Sequence, residues 1–294
     1  MGRETNKQRR ERQAGTAREK AAAARAVQAR VDQRRRAKTI LSSVIGAAVV
    51  IALIAVFAIT SGGGKQSAGG NRTDAAASVV SAVTSVEQAS LDQVGEGAAQ
   101  MTAKAINDAP LTKDGKPELF GVLAEFCPYC AAERWPLIVA LSKFGTFNDL
   151  KTVRSSSTDV DPNTATFSFY KSSYTSKYLA FTPIENEDRT GQPLEDVTDA
   201  QKAIWFKYSQ GFPFLDFGGK YVVTGPSFSP GDLKDLNWAQ ISDQLKDPTS
   251  KVAQDILGEA NVFTAMICKM TNGQPSSVCS ASGVTKINLP TQSA

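Results

Sequence analysis

The chain reads as an α/β domain behind one membrane-spanning segment, and three observations predict it. Residues 39–60 form a charge-free apolar run. An apolar strand pattern runs directly into Cys127-Pro128-Tyr129-Cys130 and then into a helical pattern, and a proline-led hairpin occupies residues 211–223. The 294 residues, 41% hydrophobic and 21% charged, suffice for one sizeable core. The absence of histidine excludes His-activated Ser or Cys nucleophiles, zincin helices and His-bearing zinc fingers.

Charge divides the chain. Residues 1–38 hold 13 basic and 4 acidic side chains, net +9, and the remainder 20 basic and 25 acidic, net −5. A tail of Arg, Gln and Ala with almost no large apolar residue builds no core and reads as a topological signal. It lacks the aromatic residues that nucleic-acid binding would use, so no nucleic-acid partner is expected. As a helix, residues 39–60 would extend about 33 Å at ~1.5 Å per residue, against ~30 Å of hydrocarbon, so the lipid bilayer is the expected partner of this run. Arg34, Arg35, Arg36 and Lys38 crowd its start, which places the tail in the cytoplasm and the large C-terminal part outside. A cleavable signal peptide is the competing reading, but the apolar run exceeds the ~7–15 residues of a usual h-region. The glycine-rich residues 61–74 read as a flexible linker, and 75–294 as the extracytoplasmic domain.

Within that domain, Val79, Val83 and Val86 mark one face of a helix over 75–94, closed by Gly95 and Gly97. Residues 113–117 read as a turn and 119–126 as a buried strand. A helix follows the first cysteine and ends at Gly145. Strands are expected over 151–157 and 166–170, an exposed loop over 182–193, and a helix over 198–208. Trp205, Phe206 and Tyr208 on that helix are either core or the wall of a substrate groove. Two apolar runs around Gly218-Gly219 form the hairpin, and residues 232–245 and 250–270 supply two more helices.

The order strand, Cys-x-x-Cys, helix places Cys127 on the first helical turn, where unpaired N–H groups and the positive dipole end favour thiolate. Cys127 is therefore the candidate nucleophile. Pro128 suits the first helical position because it has no N–H to lose. Cys130, one turn on, is placed to resolve a mixed disulfide on Cys127. Arg134, four residues later on the same face, can pair with a carboxylate or raise the local positive potential. Glu125 is the nearest carboxylate in sequence for proton transfer, with a solvated strand-end Glu as the bland reading. Cys268 and Cys279 flank a turn at Asn272-Gly273 and Pro275 and read as a structural disulfide, with electron relay to the first pair as the alternative. Four cysteines satisfy zinc by count but not by location, so no metal is expected.

CPYC after an apolar strand, together with a Pro before a hairpin reading FLDFGGKYVV, resembles the thioredoxin superfamily. The resemblance implies a three-layer thioredoxin-like domain, here with a helical insertion and extra C-terminal helices. It implies a cis Phe212-Pro213 peptide against the cysteines, with the Phe212 backbone available to an extended substrate. EFCPYCAAERWPLIVALSKFGTF, the apolar anchor, and the ending ANVFTAMICKMTNGQPSSVC resemble, over roughly residues 79–279, a membrane-anchored family known as domain of unknown function nine-twenty-nine. Two positions depart from thioredoxin-like patterns. Tyr129 stands where the DsbA-like branch often has His, and Gly121 where classical thioredoxin has a buried Asp. The expected function is thiol–disulfide exchange with client proteins. A membrane redox partner is compatible with it, and no cofactor beyond the dithiol is needed. A redox-inert binding module for a cell-envelope assembly partner is the alternative.

Overall fold

In this computed structural model the described residues are 72–291; the tail, the apolar run and residues 61–71 of the linker lie outside them. In chain order the elements are β1 (Thr73–Asp74), α1 (Ala77–Thr84), α2 (Gln88–Val94), β2 (Lys104–Ala105), β3 (Thr112–Lys113), β4 (Lys116–Leu123), α3 (Pro128–Ser142), β5 (Gly145–Asn148), β6 (Lys151–Arg154), β7 (Ala165–Ser168), β8 (Ser173–Ser176), β9 (Ala180–Glu185), α4 (Asp199–Tyr208), β10 (Phe214–Phe217), β11 (Tyr221–Val223), a 3-10 turn (Pro230–Leu233), α5 (Trp238–Gln244), α6 (Lys251–Met270), α7 (Ser276–Cys279) and α8 (Ser282–Thr285). The fold is mixed α/β. Among the described residues no helix is long and apolar enough to cross a membrane.

β4 is the hub of the main sheet. β9 runs parallel to it, β10 antiparallel on its other side, and β11 and β2 continue beyond β10. The parallel pair needs a long crossover, which begins with α3. Alternation along the strands divides the apolar side chains between the two faces. Leu119, Leu123, Leu215, Phe217 and Val223 join the large core with α3 and α6. Phe120, Val122, Phe214 and Val222 pack instead with Val197 and Trp205, at and just before α4. Helices thus cover both faces. At the β10–β11 turn both glycines have positive φ, 67° and 73°, and a Cβ on Gly219 would approach the Ala109 carbonyl oxygen to 2.5 Å. At Gly121 a Cβ would meet the end of the Leu215 side chain at 2.8 Å, so a larger residue there requires that leucine to shift.

The structure corrects several sequence expectations. The helix of 75–94 is two helices, because the chain turns out at Ser85. The Lys143 ammonium donates to the Val86 carbonyl oxygen, and Glu87 is extended as the cap of α2. The end of the expected linker is ordered: Thr73 and Asp74 pair with Thr152 and Lys151. Residues 182–185, expected in an exposed loop, complete β9, and Glu185 is fully buried. The helix after the cysteines stops at Ser142, and Gly145 opens β5. Residues 232–245 form the end of the 3-10 turn, an irregular link and α5 rather than one helix.

Cys268 and Cys279 form a disulfide between the end of α6 and α7, with Cα atoms 5.6 Å apart. These sulfurs are therefore not free to complete a four-thiolate zinc site. Replacing both by Ser is expected to cost about 3 kcal/mol, the loop-closure value for a ring of this size. The shift of the urea midpoint between the variant and the wild type measures it.

Candidate functional site

The site is built where β4 hands the chain to α3. Cys127 is the N-cap of α3, extended at φ −74° and ψ 121°, and Pro128 occupies the first turn. The Cys127 sulfur accepts from the Cys130 backbone N–H at 3.4 Å, one of the donors that a helix start leaves without a partner. Cys127 is 6% exposed and Cys130 fully buried, and both are free thiols. The Cys130 sulfur lies 3.5 Å from the Ala124 backbone N–H, which donates to it.

These surroundings separate the two thiols. The facing Cys130 thiol, the backbone N–H groups of Cys130 and Tyr129, and the charge of Arg134 together outweigh burial and bring Cys127 down to about 7. Burial first, and the neighbouring Cys127 second, push Cys130 far above the ordinary thiol range. One thiol is thus ready to attack and the other is held protonated. The alkylation rate of Cys127 by iodoacetamide is expected to reach half its maximum near pH 7, more than one pH step below an unperturbed thiol at about 8.5. A half-point near 8.5 would contradict this.

Phe212 and Pro213 lie opposite. Their peptide is cis, and the Cys127 thiol points at the Phe212 carbonyl oxygen at 3.8 Å. The Phe212 ring is held edge-on to Phe126, with centroids 6.0 Å apart, and stacks on Trp205 at 5.2 Å. Trp205 is buried and donates from its indole N–H to the Gly211 carbonyl oxygen at 3.1 Å. Of the three candidate wall residues, then, Trp205 packs under the site, Phe206 is 50% exposed beside it, and the Tyr208 hydroxyl donates to Asp108 at 2.7 Å. Tyr129, between the cysteines, is 46% exposed.

Beneath the cysteines lies a charged layer. Arg134 is fully buried and forks onto Glu185, with Nε to Oε1 at 2.9 Å and Nη2 to Oε2 at 2.6 Å. The backbone N–H of Phe169 donates to the same Oε1 at 3.0 Å. Glu125 is not the solvated strand-end residue of the bland reading. It is fully buried, accepting from the Ser168 hydroxyl at 2.5 Å and from Arg72 at 2.7 Å. Burial pushes its carboxyl upward, and Ser168 and Arg72 pull it partly back. Arg72 also lies 4.6 Å over the Tyr170 ring.

Sequence reasoning did not find Arg72, Glu185, or the buried acids Glu133 and Glu259. For Glu133 a signal existed: Glu133-Arg134 is a charged pair inside a helix apolar on every side.

Residues 102–269 match the family described as Domain of unknown function (DUF929). The chain belongs to this family. The match spans β4, both cysteines of the site, the Phe212-Pro213 peptide and almost all of α6. No curated protein and no solved structure matches the chain.

Proposed function

We propose that this member of the DUF929 family is a thioredoxin-like thiol–disulfide exchange protein, anchored in the cell membrane by residues 39–60 with its domain outside the cytoplasm. It would act on dithiols and disulfides of client proteins. The observation that carries the reading is the Cys127 thiol at the start of α3, lowered to about 7, with the resolving thiol buried one turn behind it and the Phe212 carbonyl in front. The strand order β9, β4, β10, β11, with helices on both faces, supports the three-layer thioredoxin-like architecture. The anchor and its orientation rest on the charge-free run and the basic residues before it.

In this reading the Cys127 thiolate attacks a client disulfide and forms a mixed disulfide. Cys130 then attacks Cys127, giving the intramolecular disulfide and a reduced client; client oxidation is the reverse. An extended client segment would run beside Phe212 and Pro213, with Phe206 and Tyr129 as exposed apolar contacts. The test is insulin reduction by the purified full chain in detergent with dithiothreitol as reductant. Cys127→Ser is expected to abolish the rate above background, and Cys130→Ser to accumulate covalent client adducts on nonreducing gels. Equal rates for wild type and Cys127→Ser, with no adducts on Cys130→Ser, would overturn exchange and favour the binding module.

A further inference from the structure

The described chain enters the domain at the end that holds the dithiol. Arg72, its first residue, donates to Glu125 at 2.7 Å, two residues before Cys127, and its guanidinium lies over the Tyr170 ring. Withdrawing Arg72 would strip the fully buried Glu125 carboxyl of a partner, so the entry point is held. The register of β1 gives the direction of entry. β1 runs antiparallel to β6, with Thr73 opposite Thr152 and Asp74 opposite Lys151, so Arg72 lies toward the later end of β6. That end leads to Ser156, whose backbone N–H donates to the Phe126 carbonyl oxygen at 2.8 Å, next to Cys127. From Arg72 the chain runs away from the site, to Ala75, whose N–H donates to the Leu150 carbonyl oxygen at 3.1 Å.

Two further facts bear on what approaches that end. The first is reach: between the apolar run and Arg72 stand only residues 61–71. These eleven residues span at most about 40 Å whatever their conformation, at ~3.3–3.6 Å each. The second is apolar surface. Among the described residues the exposed large apolar side chains are Tyr129, Val160 and Phe206. All three belong to segments at the dithiol end. Tyr129 stands between the cysteines, and Phe206 lies against Trp205, which stacks on Phe212. Val160 is in the β6–β7 loop that Ser156 ties to Phe126. Scattered singly, such residues need no explanation; gathered at one end, they mark a surface for another protein.

We propose that the exchange partner of Cys127 and Cys130 is carried by the same bilayer, as a disulfide or dithiol in the extracytoplasmic part of another membrane-anchored protein. The inference rests on the exchange and anchor readings above and names the partner they leave open. A tether that ends beside the thiol keeps the thiol within short reach of the bilayer surface, and a partner rooted in that surface is confined to the same layer. Such confinement acts as a high effective concentration, in the mM range for short tethers, without any new contact. Had the chain entered at the far end of β4, the length of the domain would stand between thiol and tether. Tyr129, Val160 and Phe206 supply the apolar contact to the partner. In the exchange, the bond from Cys127 to a partner sulfur forms as the partner disulfide breaks, and the Cys127–Cys130 bond forms as that mixed disulfide breaks. Two electrons pass to the partner, and its two thiolates take one proton from Cys130 and one from solvent; partner oxidation is the reverse.

The test uses the full chain in phosphatidylcholine vesicles, with outward-facing domains labelled by a membrane-impermeant fluorescent maleimide. In Cys130→Ser the label sits on Cys127. In the double variant Cys127→Ser, Cys130→Ser with Lys113→Cys added, it sits on an exposed position before β4. The eight residues of β4, about 23 Å long, separate that position from the cysteine end. Energy transfer to a rhodamine-bearing phosphatidylethanolamine is expected to be higher from the first label than from the second. In a second arm the reduced wild type is offered a disulfide-closed peptide loop, either free or joined to a transmembrane segment, at equal bulk concentration. The membrane-borne loop is expected to be reduced about 100-fold faster, the lower end of the gain from tethering. Transfer from Cys127 that is no higher, or equal rates on the two peptides, would overturn the inference and leave exchange standing. Reduction of neither peptide would overturn exchange itself, and a chain that does not float with the vesicles would overturn the anchor; the inference falls with either.

Discussion

Arg134→Met is expected to destabilise the domain by about 3–5 kcal/mol, because it strands the fully buried Glu185 carboxylate without its partner. Burial alone would push the guanidinium down, but the charge of Glu185, the Cys130 thiol, the fork to Glu185 and Glu125 outweigh it, so Arg134 stays charged in the interior. The same substitution removes a positive charge that helps bring Cys127 down to about 7, so its alkylation half-point should rise. Two controls separate these effects. Arg134→Lys keeps the charge but loses the planar fork, and is expected to hold the Cys127 half-point near the wild-type value while losing stability. Pairing Arg134→Met with Glu185→Leu removes both charges and should recover much of the lost stability. Urea midpoints and iodoacetamide pH–rate profiles on the same samples decide it. A stable Arg134→Met with an unmoved Cys127 half-point would show that neither stability nor thiol acidity depends on the buried pair.

The site shows which physical signals a sequence carries well. The strand of 119–126, the cysteines and the following helix were legible because an apolar run, a proline suited to a first helical turn and helical spacing agree at one place. The hairpin was legible because Gly218-Gly219 meets a local demand for positive φ. β9 was misread because Pro183 and Glu185 look like loop residues. Yet among the described residues β9 pairs only with β4, an edge position at which a proline is tolerated, and Glu185 is neutralised by Arg134, fifty-one residues earlier. Such a pairing leaves no local trace. The same holds for Arg72 on Glu125 and for Glu259 behind Glu133. None of these pairings was read from the sequence, because sequence pattern reports periodicity and not long-range pairing. The chemistry-bearing cysteines were therefore visible in the sequence, while the charged layer beneath them was visible only in three dimensions.

The buried acids give the domain a pH dependence of unusual sign. Folded carboxylates are commonly held low by partners, so that proteins gain stability as pH rises from acid. Here burial raises Glu259 to about 8 and Asp216 to about 6, and Glu133 goes in the same direction. An acid whose folded value lies above its unfolded value, about 4.3 for Glu, binds more protons in the native state between the two. Its favourable contribution is complete below the unfolded value and is lost as pH climbs through the folded one. From Glu259 alone, stability should fall by about 2 kcal/mol or somewhat more between pH 5 and pH 7. Asp92, Asp108, Asp188 and Asp247 are shifted downward, and their stabilisation is nearly complete by pH 5, so they do not mask the trend. Cys127 works in the opposite direction, but only as pH passes its value of about 7, which is why the window stops there. The urea midpoint of the full chain is therefore expected to decrease from pH 5 to pH 7. Glu259→Gln should remove most of that slope, being more stable than the wild type at pH 7 and close to it at pH 5. A wild-type midpoint that rises across this window would mean that Glu259 ionises inside the fold, and that α3 and α6 enclose a charge rather than a proton.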